Sequence, residues 1–138
     1  MQIQGPYKAP EAGNATAQNV TSNWADLGSE IRTEGYSKLG LYLNVDINDS
    51  ANIRIRALAK RESAGTDEYC LPIETVSSSD VKIEDEYMEF NVDADQKVIL
   101  SVQLDRLIPW VQIQVQAGTV GQTAGQIDSF YYSLGNQS

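Results

Sequence analysis

Carboxylates are the side chains of this 138-residue chain best suited to chemistry, because it contains no histidine and a single cysteine. Without histidine, the Ser-His-Asp and Cys-His arrangements of nucleophilic enzymes are excluded. The densest acidic group is Glu84, Asp85, Glu86 and Glu89, and two carboxylates about 5 to 9.5 Å apart in a cleft can hydrolyse a glycosidic bond. The surrounding sequence, KIEDEYMEF, instead favours the outward face of a strand and its lead-in. We therefore expect no enzymatic activity.

Two turn-like segments carry the oxygen ligands that calcium prefers. Asp46, Asn48 and Asp49 lie in one segment, and Asp93 and Asp95 lie in the other. Neither segment has the glycine and terminal glutamate of a complete twelve-residue calcium loop, and Asp and Asn also stabilise ordinary turns through backbone hydrogen bonds. Ordinary turns and no cofactor are the expectation, with calcium as the weaker alternative.

The lone Cys70 stands in the segment EYCLPI and has no second cysteine with which to form an intrachain disulfide. A nucleophilic thiol needs a base or cation to lower its pKa, and the chain has no histidine to serve. The sequence predicts a half-buried, unreactive thiol that behaves as a small hydrophobe.

A stripe of one aromatic and three amide side chains is the best candidate binding surface. Trp110, Gln112, Gln114 and Gln116 alternate with apolar residues, so on a strand they share the outward face. Such a stripe could bind sugar by ring stacking and amide hydrogen bonding, or a protein partner. A solvated polar face is the alternative.

Strict alternation of apolar residues predicts the fold class. In Lys38–Asn48 every second residue from Leu39 to Ile47 is apolar, and the pattern recurs in 52–60, 97–104 and 110–117. No segment shows helical periodicity. About eight strands at this spacing favour an all-β, antiparallel, jelly-roll-like sandwich, with a closed barrel as the alternative.

Three further expectations concern individual strands. The short connection between 38–48 and 52–60 predicts a hairpin. Glu68–Ser77 is predicted to be one strand with Tyr69, Leu71 and Ile73 on one face, at a sheet edge because of Pro72. The last strand, 126–134, has two alternative inward sets, Ile127 with Tyr131 or Phe130 with Tyr132 and Leu134.

Residues 1–20 differ in composition from the rest of the chain and are rich in Ala, Gln, Asn, Gly and Pro. They are predicted to form an extended, partly disordered N-terminal arm, followed by the sandwich domain at 21–138. The arm is either a frayed terminus or a segment that reaches a neighbouring subunit.

The net charge is −9, from 19 acidic and 10 basic residues. A negative surface repels phosphate backbones and anionic lipid, so neither nucleic acid nor a membrane is expected as a partner. No apolar run is long enough to span a bilayer, and the N-terminus lacks the pattern of a signal peptide. Synthesis in a cytoplasm is expected.

Two runs of the sequence resemble known proteins. WADLGSEIRTEGYSKLGLYLNVDINDSANIRIRALAK and IPWVQIQVQAGTVGQTAGQIDSFYYSL, within residues 22–134, resemble small β-sandwich proteins encoded among the structural genes of tailed bacteriophages and prophages. The Trp-x-x-Leu-Gly opening and the VQIQV strand are also similar to galactose-binding, discoidin-type jelly rolls.

The resemblance implies a virion structural protein, made in the host cytoplasm, that decorates and stabilises the head by binding the major capsid protein or other virion proteins. It also implies a homo-oligomer, with a trimer as the expected state. The alternative is a carbohydrate-binding module of a phage tail or baseplate that uses Trp110 and the glutamine stripe.

Overall fold

The computed structural model describes residues 3–14, 16–46, 53–75, 81–83, 87–90, 96–117 and 126–137. These residues form thirteen β-strands and no helix, so none of their segments could cross a membrane as a helix. In chain order, the strands are β1 (Ile3–Asn14), β2 (Gln18–Asn19), β3 (Ala25–Asp26), β4 (Ile31–Arg32), β5 (Lys38–Asp46), β6 (Ile53–Lys60), β7 (Glu68–Leu71), β8 (Ile73–Thr75), β9 (Val81–Ile83), β10 (Met88–Phe90), β11 (Gln96–Gln103), β12 (Trp110–Ala117) and β13 (Gln126–Gln137).

The strands form two antiparallel sheets, which confirms the predicted all-β sandwich. The first sheet has the order β1-β13-β5-β11-β8, with β2 also paired to β13. The second has the order β3-β12-β6-β10-β9, with β4 on β12 and β7 on β6. From β5 onward, successive long strands alternate between the sheets, which makes the connectivity jelly-roll-like. The strand number exceeds the eight or so predicted because seven strands, β2–β4 and β7–β10, have only two to four residues each.

The core lies between the sheets and is built from alternate residues of four long strands, as the sequence pattern predicts. Each fully buried Leu, Ile or Val contributes about 1.5 to 3 kcal/mol relative to an exposed one. The buried apolar residues on the alternating faces are Leu39, Leu41, Leu43 and Val45 on β5, Ile53, Ile55, Ala57 and Ala59 on β6, Val98, Leu100 and Val102 on β11, and Val111, Ile113, Val115 and Ala117 on β12.

The predicted hairpin between β5 and β6 is wrong. β5 pairs with β11 and β13 in the first sheet, whereas β6 pairs with β7, β10 and β12 in the second. The two strands therefore contribute their apolar faces to the core from opposite sides. Alternation identifies the buried face of a strand, but it does not identify the strand that pairs with it.

The single strand predicted at 68–77 is also wrong, because the chain changes sheets at Pro72. β7 pairs with β6 in the second sheet, and β8 pairs with β11 in the first. Proline has no N–H for a ladder hydrogen bond, which favours a break at this residue. Both strands lie at edges, as Pro72 predicts. By register, Tyr69 and Leu71 share the face of Ala59 and Ala57 on β6, yet Tyr69 is exposed, whereas Ile73 is buried.

A β-bulge explains why the inward face of β13 looked ambiguous. Ile127 pairs with Val45, but Ser129 pairs with the next residue, Asn44, so Asp128 is the extra residue. An extra residue reverses the alternation, and side chains on both sides of it can face inward. Ile127, Phe130 and Leu134 are all buried, and Tyr132 packs against the core. The set of Phe130, Tyr132 and Leu134 is therefore confirmed, whereas in the other set only Ile127 faces the core and Tyr131 faces outward.

The N-terminal segment is extended, as expected, but it belongs to the sandwich. β1 pairs along β13 and forms one edge of the first sheet. Its register shifts three times, and Pro6 and Pro10 lie in the shifted intervals. Val20 is buried in the core. The segment predicted as an arm therefore contributes a strand to the first sheet and one residue to the core.

Candidate functional site

The outer face of the second sheet contains the predicted Trp110 stripe, but the stripe is interrupted. Trp110, Gln114 and Gln116 are half-buried, whereas Gln112 is only 2% exposed. Its Nε2 donates to the carbonyl oxygens of Ile113 (2.9 Å) and Gly28 (3.3 Å). The expectation that Gln112 faces solvent is wrong, because the loop between β3 and β4 lies beside this residue and accepts a hydrogen bond from its side chain.

Local pairing places that loop. β3 pairs with Gln114 and Val115, and β4 pairs with Trp110 and Val111 on the same edge of β12, so residues 27–30 connect the two strands beside Gln112. The N–H of Leu27 donates to the carbonyl of Ile113 at 2.8 Å, and the Leu27 side chain is buried. Gly28 has a φ of 70°, a conformation that glycine adopts without the steric penalty of a side chain.

The remaining glutamines of the stripe bind arginines of β6 rather than projecting freely. Arg56 donates from Nε (2.9 Å) and Nη2 (2.6 Å) to Oε1 of Gln114, whose Nε2 donates to Oδ1 of Asp26 at 2.8 Å. Gln116 accepts from Nη1 of Arg54 at 3.5 Å and donates to the carbonyl of Ser22 at 3.0 Å. These amides are therefore already used to hold the arginines and the adjoining loop in place.

Two aromatic rings cover the arginines and complete the surface. The guanidinium carbon of Arg56 lies 4.2 Å from the ring centroid of Trp24, and that of Arg54 lies 4.5 Å from the centroid of Tyr87. The two rings contact each other, with centroids 6.0 Å apart and planes inclined by 53°. We call Trp24, Tyr87, Arg54 and Arg56 the aromatic–arginine face; all four side chains are half-buried.

Sequence reasoning missed this face, although a signal for it was present. Arg54 and Arg56 stand at outward positions in the middle of an apolar strand, where their stems and charges need partners. Trp24 and Tyr87 are distant in sequence from both, so their contact depends on strand order rather than on spacing.

A half-buried ion pair lies at the end of the sheet near Trp110. Nζ of Lys60 is 2.9 Å from Oε2 of Glu30, and the two side chains are 12% and 16% exposed. The hydrogen bond from Lys60 is the main cause that lowers the pKa of Glu30, and the same bond raises the pKa of Lys60. Nearby, the guanidinium carbon of Arg32 lies 5.7 Å from the Trp110 ring centroid. Trp110 is therefore supported by a cation rather than presented as an isolated platform.

The outer face of the first sheet carries a shallow hollow of about 380 Å³. Tyr131, which is 41% exposed, lies directly opposite Tyr42 on the neighbouring strand. The Tyr42 hydroxyl is 3.3 Å from Oγ of Ser133, an interaction that fixes the ring. We call this feature the tyrosine hollow; the outward side chains around it are Tyr42, Asn44, Lys97, Ile99, Ser129 and Tyr131.

The other candidate residues receive little support. Asn48, Asp49, Asp93 and Asp95, and the acidic residues Glu84 to Glu86, lie outside the described residues, while Asp46 ends β5. Within the described ranges, no three Asp, Glu or Cys side chains converge in a way that could hold a metal ion. The prediction that Cys70 is half-buried is wrong, since it is exposed on an edge strand.

No protein-family model matches the chain, and no curated protein matches it. The resemblance to phage structural proteins therefore remains a sequence-based expectation.

Proposed function

We propose that this protein is a non-enzymatic structural protein of a tailed-bacteriophage virion, which decorates the capsid by binding its major capsid protein. The partner is taken from the resemblance of residues 22–134 to phage structural β-sandwiches. The mechanism is mechanical: a rigid sandwich binds neighbouring capsid subunits and ties them together. Contacts with several subunits add avidity through effective concentration, without new chemistry.

The aromatic–arginine face is the observation that supports a docking role. Trp, Tyr and Arg are the residue types that dominate binding hot spots in protein interfaces. Here Trp24 and Tyr87 are held against Arg56 and Arg54, which are themselves held by glutamines of β12. Because the side chains are already ordered, binding a partner through them loses little conformational entropy.

Co-sedimentation with expanded, empty capsids of the phage whose genome encodes the chain tests this proposal. Saturable binding of the unchanged protein is expected. Trp24→Ala should weaken binding at least about tenfold, equivalent to about 1.4 kcal/mol. The matched control is Tyr131→Ala, which removes a more exposed aromatic ring from the opposite sheet and should bind like the unchanged protein.

Absence of binding at micromolar concentration would argue against the capsid as partner. Equal loss in both variants would argue against the aromatic–arginine face as the binding surface. Thermal unfolding of each variant, followed by circular dichroism, separates lost contacts from lost folding.

Carbohydrate binding is a second candidate, and the tyrosine hollow favours it over the Trp110 stripe. The hollow combines two tyrosine rings with an amide, a hydroxyl and an ammonium group, which suit the apolar face and the hydroxyls of a sugar ring. The stripe is less suitable because Gln112 is buried and both the oxygen and the nitrogen of the Gln114 amide already make hydrogen bonds. On a glycan array, Tyr131→Ala should remove any signal and Trp110→Ala should retain it. A silent array with the unchanged protein would end this candidate.

A further inference from the structure

An apolar groove of about 380 Å³ opens at one end of the sandwich, where β7 lies beside the turn that follows β11. Its apolar walls include Ala59, Tyr69, Leu71, Ile108 and Pro109. By register, Tyr69 and Leu71 pair with Ala59 and Ala57 of β6, whose side chains face the core. The groove is therefore a gap on the core-facing side of β7, which the small side chains of Ala57 and Ala59 leave unfilled.

The rim of this groove carries the two most exposed large hydrophobic residues of the described chain. Leu107 is 86% exposed and Tyr69 is 58% exposed. Large apolar side chains clustered at one surface groove are typical of an interaction site, whereas isolated exposed ones need no explanation. We call this feature the Leu107 groove.

The turn that presents Leu107 is held rigidly. Oδ1 of Asp105 accepts from the N–H of Leu107 at 2.8 Å, and the carbonyl of Asp105 accepts from the N–H of Ile108 at 2.9 Å. The turn is also tied to a neighbouring loop. The buried Thr33 donates from Oγ1 to the Ile108 carbonyl at 2.8 Å, and Gly35 donates to the Arg106 carbonyl at 2.8 Å. The exposed leucine is therefore preorganised, which lowers the entropy lost when it is buried in a complex.

The charges around the groove differ from those of the whole molecule. Lys60, Arg61 and Asp105 line it and sum to +1, whereas the chain carries −9. Lys60 pairs with Glu30, and Arg61 pairs with Asp67, so the surroundings are close to neutral. Two copies of an acidic protein repel each other over most of their surfaces, and this repulsion is weakest where the local charge is balanced.

From these observations we infer that the Leu107 groove binds a second copy of this chain in a two-fold symmetric dimer, with Leu107 of each copy in the groove of the other. A projecting apolar residue beside an apolar groove is self-complementary, which is the requirement of an isologous contact. The contact area is small, so the dimer is weak, with a dissociation constant in the micromolar range or above.

Sedimentation equilibrium of the unchanged protein, at concentrations up to about 500 µM, tests this inference. A monomer–dimer equilibrium is expected, and Leu107→Asp should weaken it at least about 20-fold. Leu107 is so exposed that the variant should unfold at the same temperature as the unchanged protein. Tyr131→Asp is the matched control, because it replaces an exposed aromatic residue of the opposite sheet with the same charge and should dimerise normally.

Salt gives a second readout. Added salt screens the repulsion between two chains of charge −9, so the dissociation constant of a dimer held by apolar contacts should decrease. A dimer held by attraction between opposite charges would instead dissociate more readily as salt is added. A protein that is monomeric at the highest concentration would overturn the inference, and so would a trimer or a dimer that Leu107→Asp leaves intact. Each of these outcomes is independent of capsid binding through the aromatic–arginine face.

Discussion

The carboxylate of Glu30 connects three parts of the turn that joins β6 to β7. It accepts hydrogen bonds from Nζ of Lys60 at 2.9 Å, from Oγ of Ser63 at 3.0 Å and from the N–H of Ala64 at 2.9 Å. The same turn leads into β7, which carries Tyr69 at the rim of the Leu107 groove. A single carboxylate therefore positions one wall of the proposed interface.

Glu30→Gln should lower the free energy of unfolding by about 1 to 2 kcal/mol at pH 7, because the half-desolvated Lys60 loses its charged partner. A lowered carboxylate pKa contributes stability above its ordinary value of 4.5, and this contribution is lost as the pH falls through the lower pKa of the folded state. The raised pKa of Lys60 contributes below its ordinary value of 10.5 and is lost as the pH rises through the higher folded value. The difference between variant and unchanged protein should thus be largest between these limits.

Urea denaturation at a series of pH values measures this difference. The control is Glu34→Gln, because Glu34 pairs with Arg32 on the surface, where both side chains are more than half exposed. An exposed pair of this kind contributes at most about 1 kcal/mol. A Glu30→Gln deficit that stays constant into strong acid would contradict the assignment.

Ala64 is the one described residue other than glycine with a positive φ, at 57°. An L-residue in this left-handed conformation is strained by about 1 to 2 kcal/mol, whereas glycine adopts it freely at some loss of backbone entropy. Ala64→Gly should therefore raise the free energy of unfolding by about 0.5 to 1 kcal/mol. The midpoint of thermal unfolding measures this, and a lower midpoint would show that the backbone entropy lost by glycine on folding outweighs the relieved strain.

At the scale of elements, two glycines allow the end of β1 to pack closely against β13 and against the loop between β3 and β4. A Cβ on Gly13 would lie 2.4 Å from the ring of Phe130, which is fully buried on β13. A Cβ on Gly28 would lie 2.5 Å from the carbonyl oxygen of Gly13. The end of β1 is therefore packed between the core and the loop that joins β3 to β4, and this contact holds it against the sandwich.

Gly13→Ala should destabilise the protein by about 1 to 3 kcal/mol, since the added methyl group must displace a packed ring. In a double-mutant cycle, adding Phe130→Leu should recover part of that loss, because the smaller side chain leaves room for the methyl group. Additive effects of the two substitutions would contradict a direct clash. Equilibrium urea unfolding of the four proteins provides the measurement.

The elements also show which sequence signals were sufficient. The faces of β5, β6, β11 and β12 could be predicted from alternation, because burial on one side of a pleated strand imposes a period of two. The pairing partner of each strand could not be predicted in this way. β5 and β6 would have equally apolar faces whether they paired in one sheet or faced each other from opposite sheets. The bulge at Asp128 was hidden for a related reason: an extra residue shifts the alternation without changing the composition.

In the candidate site, too, some features could be predicted from the strand pattern and others could not. The outward positions of Trp110 and of Gln114 were predictable from the strand pattern, but the burial of Gln112 depends on a loop 84 residues away in sequence. The pairing of Trp24 with Arg56 likewise depends on the order of strands in the second sheet. Contacts set by topology cannot be read from local spacing.

At the scale of the whole molecule, the net charge of −9 opposes the compact state through self-repulsion. Raising the sodium chloride concentration from about 20 mM to about 500 mM shortens the screening length severalfold. The unfolding temperature should therefore rise by a few degrees, as differential scanning calorimetry would show. A falling temperature would mean that pairs such as Lys60–Glu30 outweigh the overall repulsion.

The pairing of β1 with β13 delays closure of the first sheet during synthesis of the chain. Within the described chain β1 pairs only with β13, and β5 lies between β13 and β11. A ribosome adds about 5 to 20 residues each second, so β1 leaves the exit tunnel seconds before residues 126–137 are made. The first sheet can close only after that delay, and until then the nascent polypeptide exposes apolar strands to the chaperones of the cell.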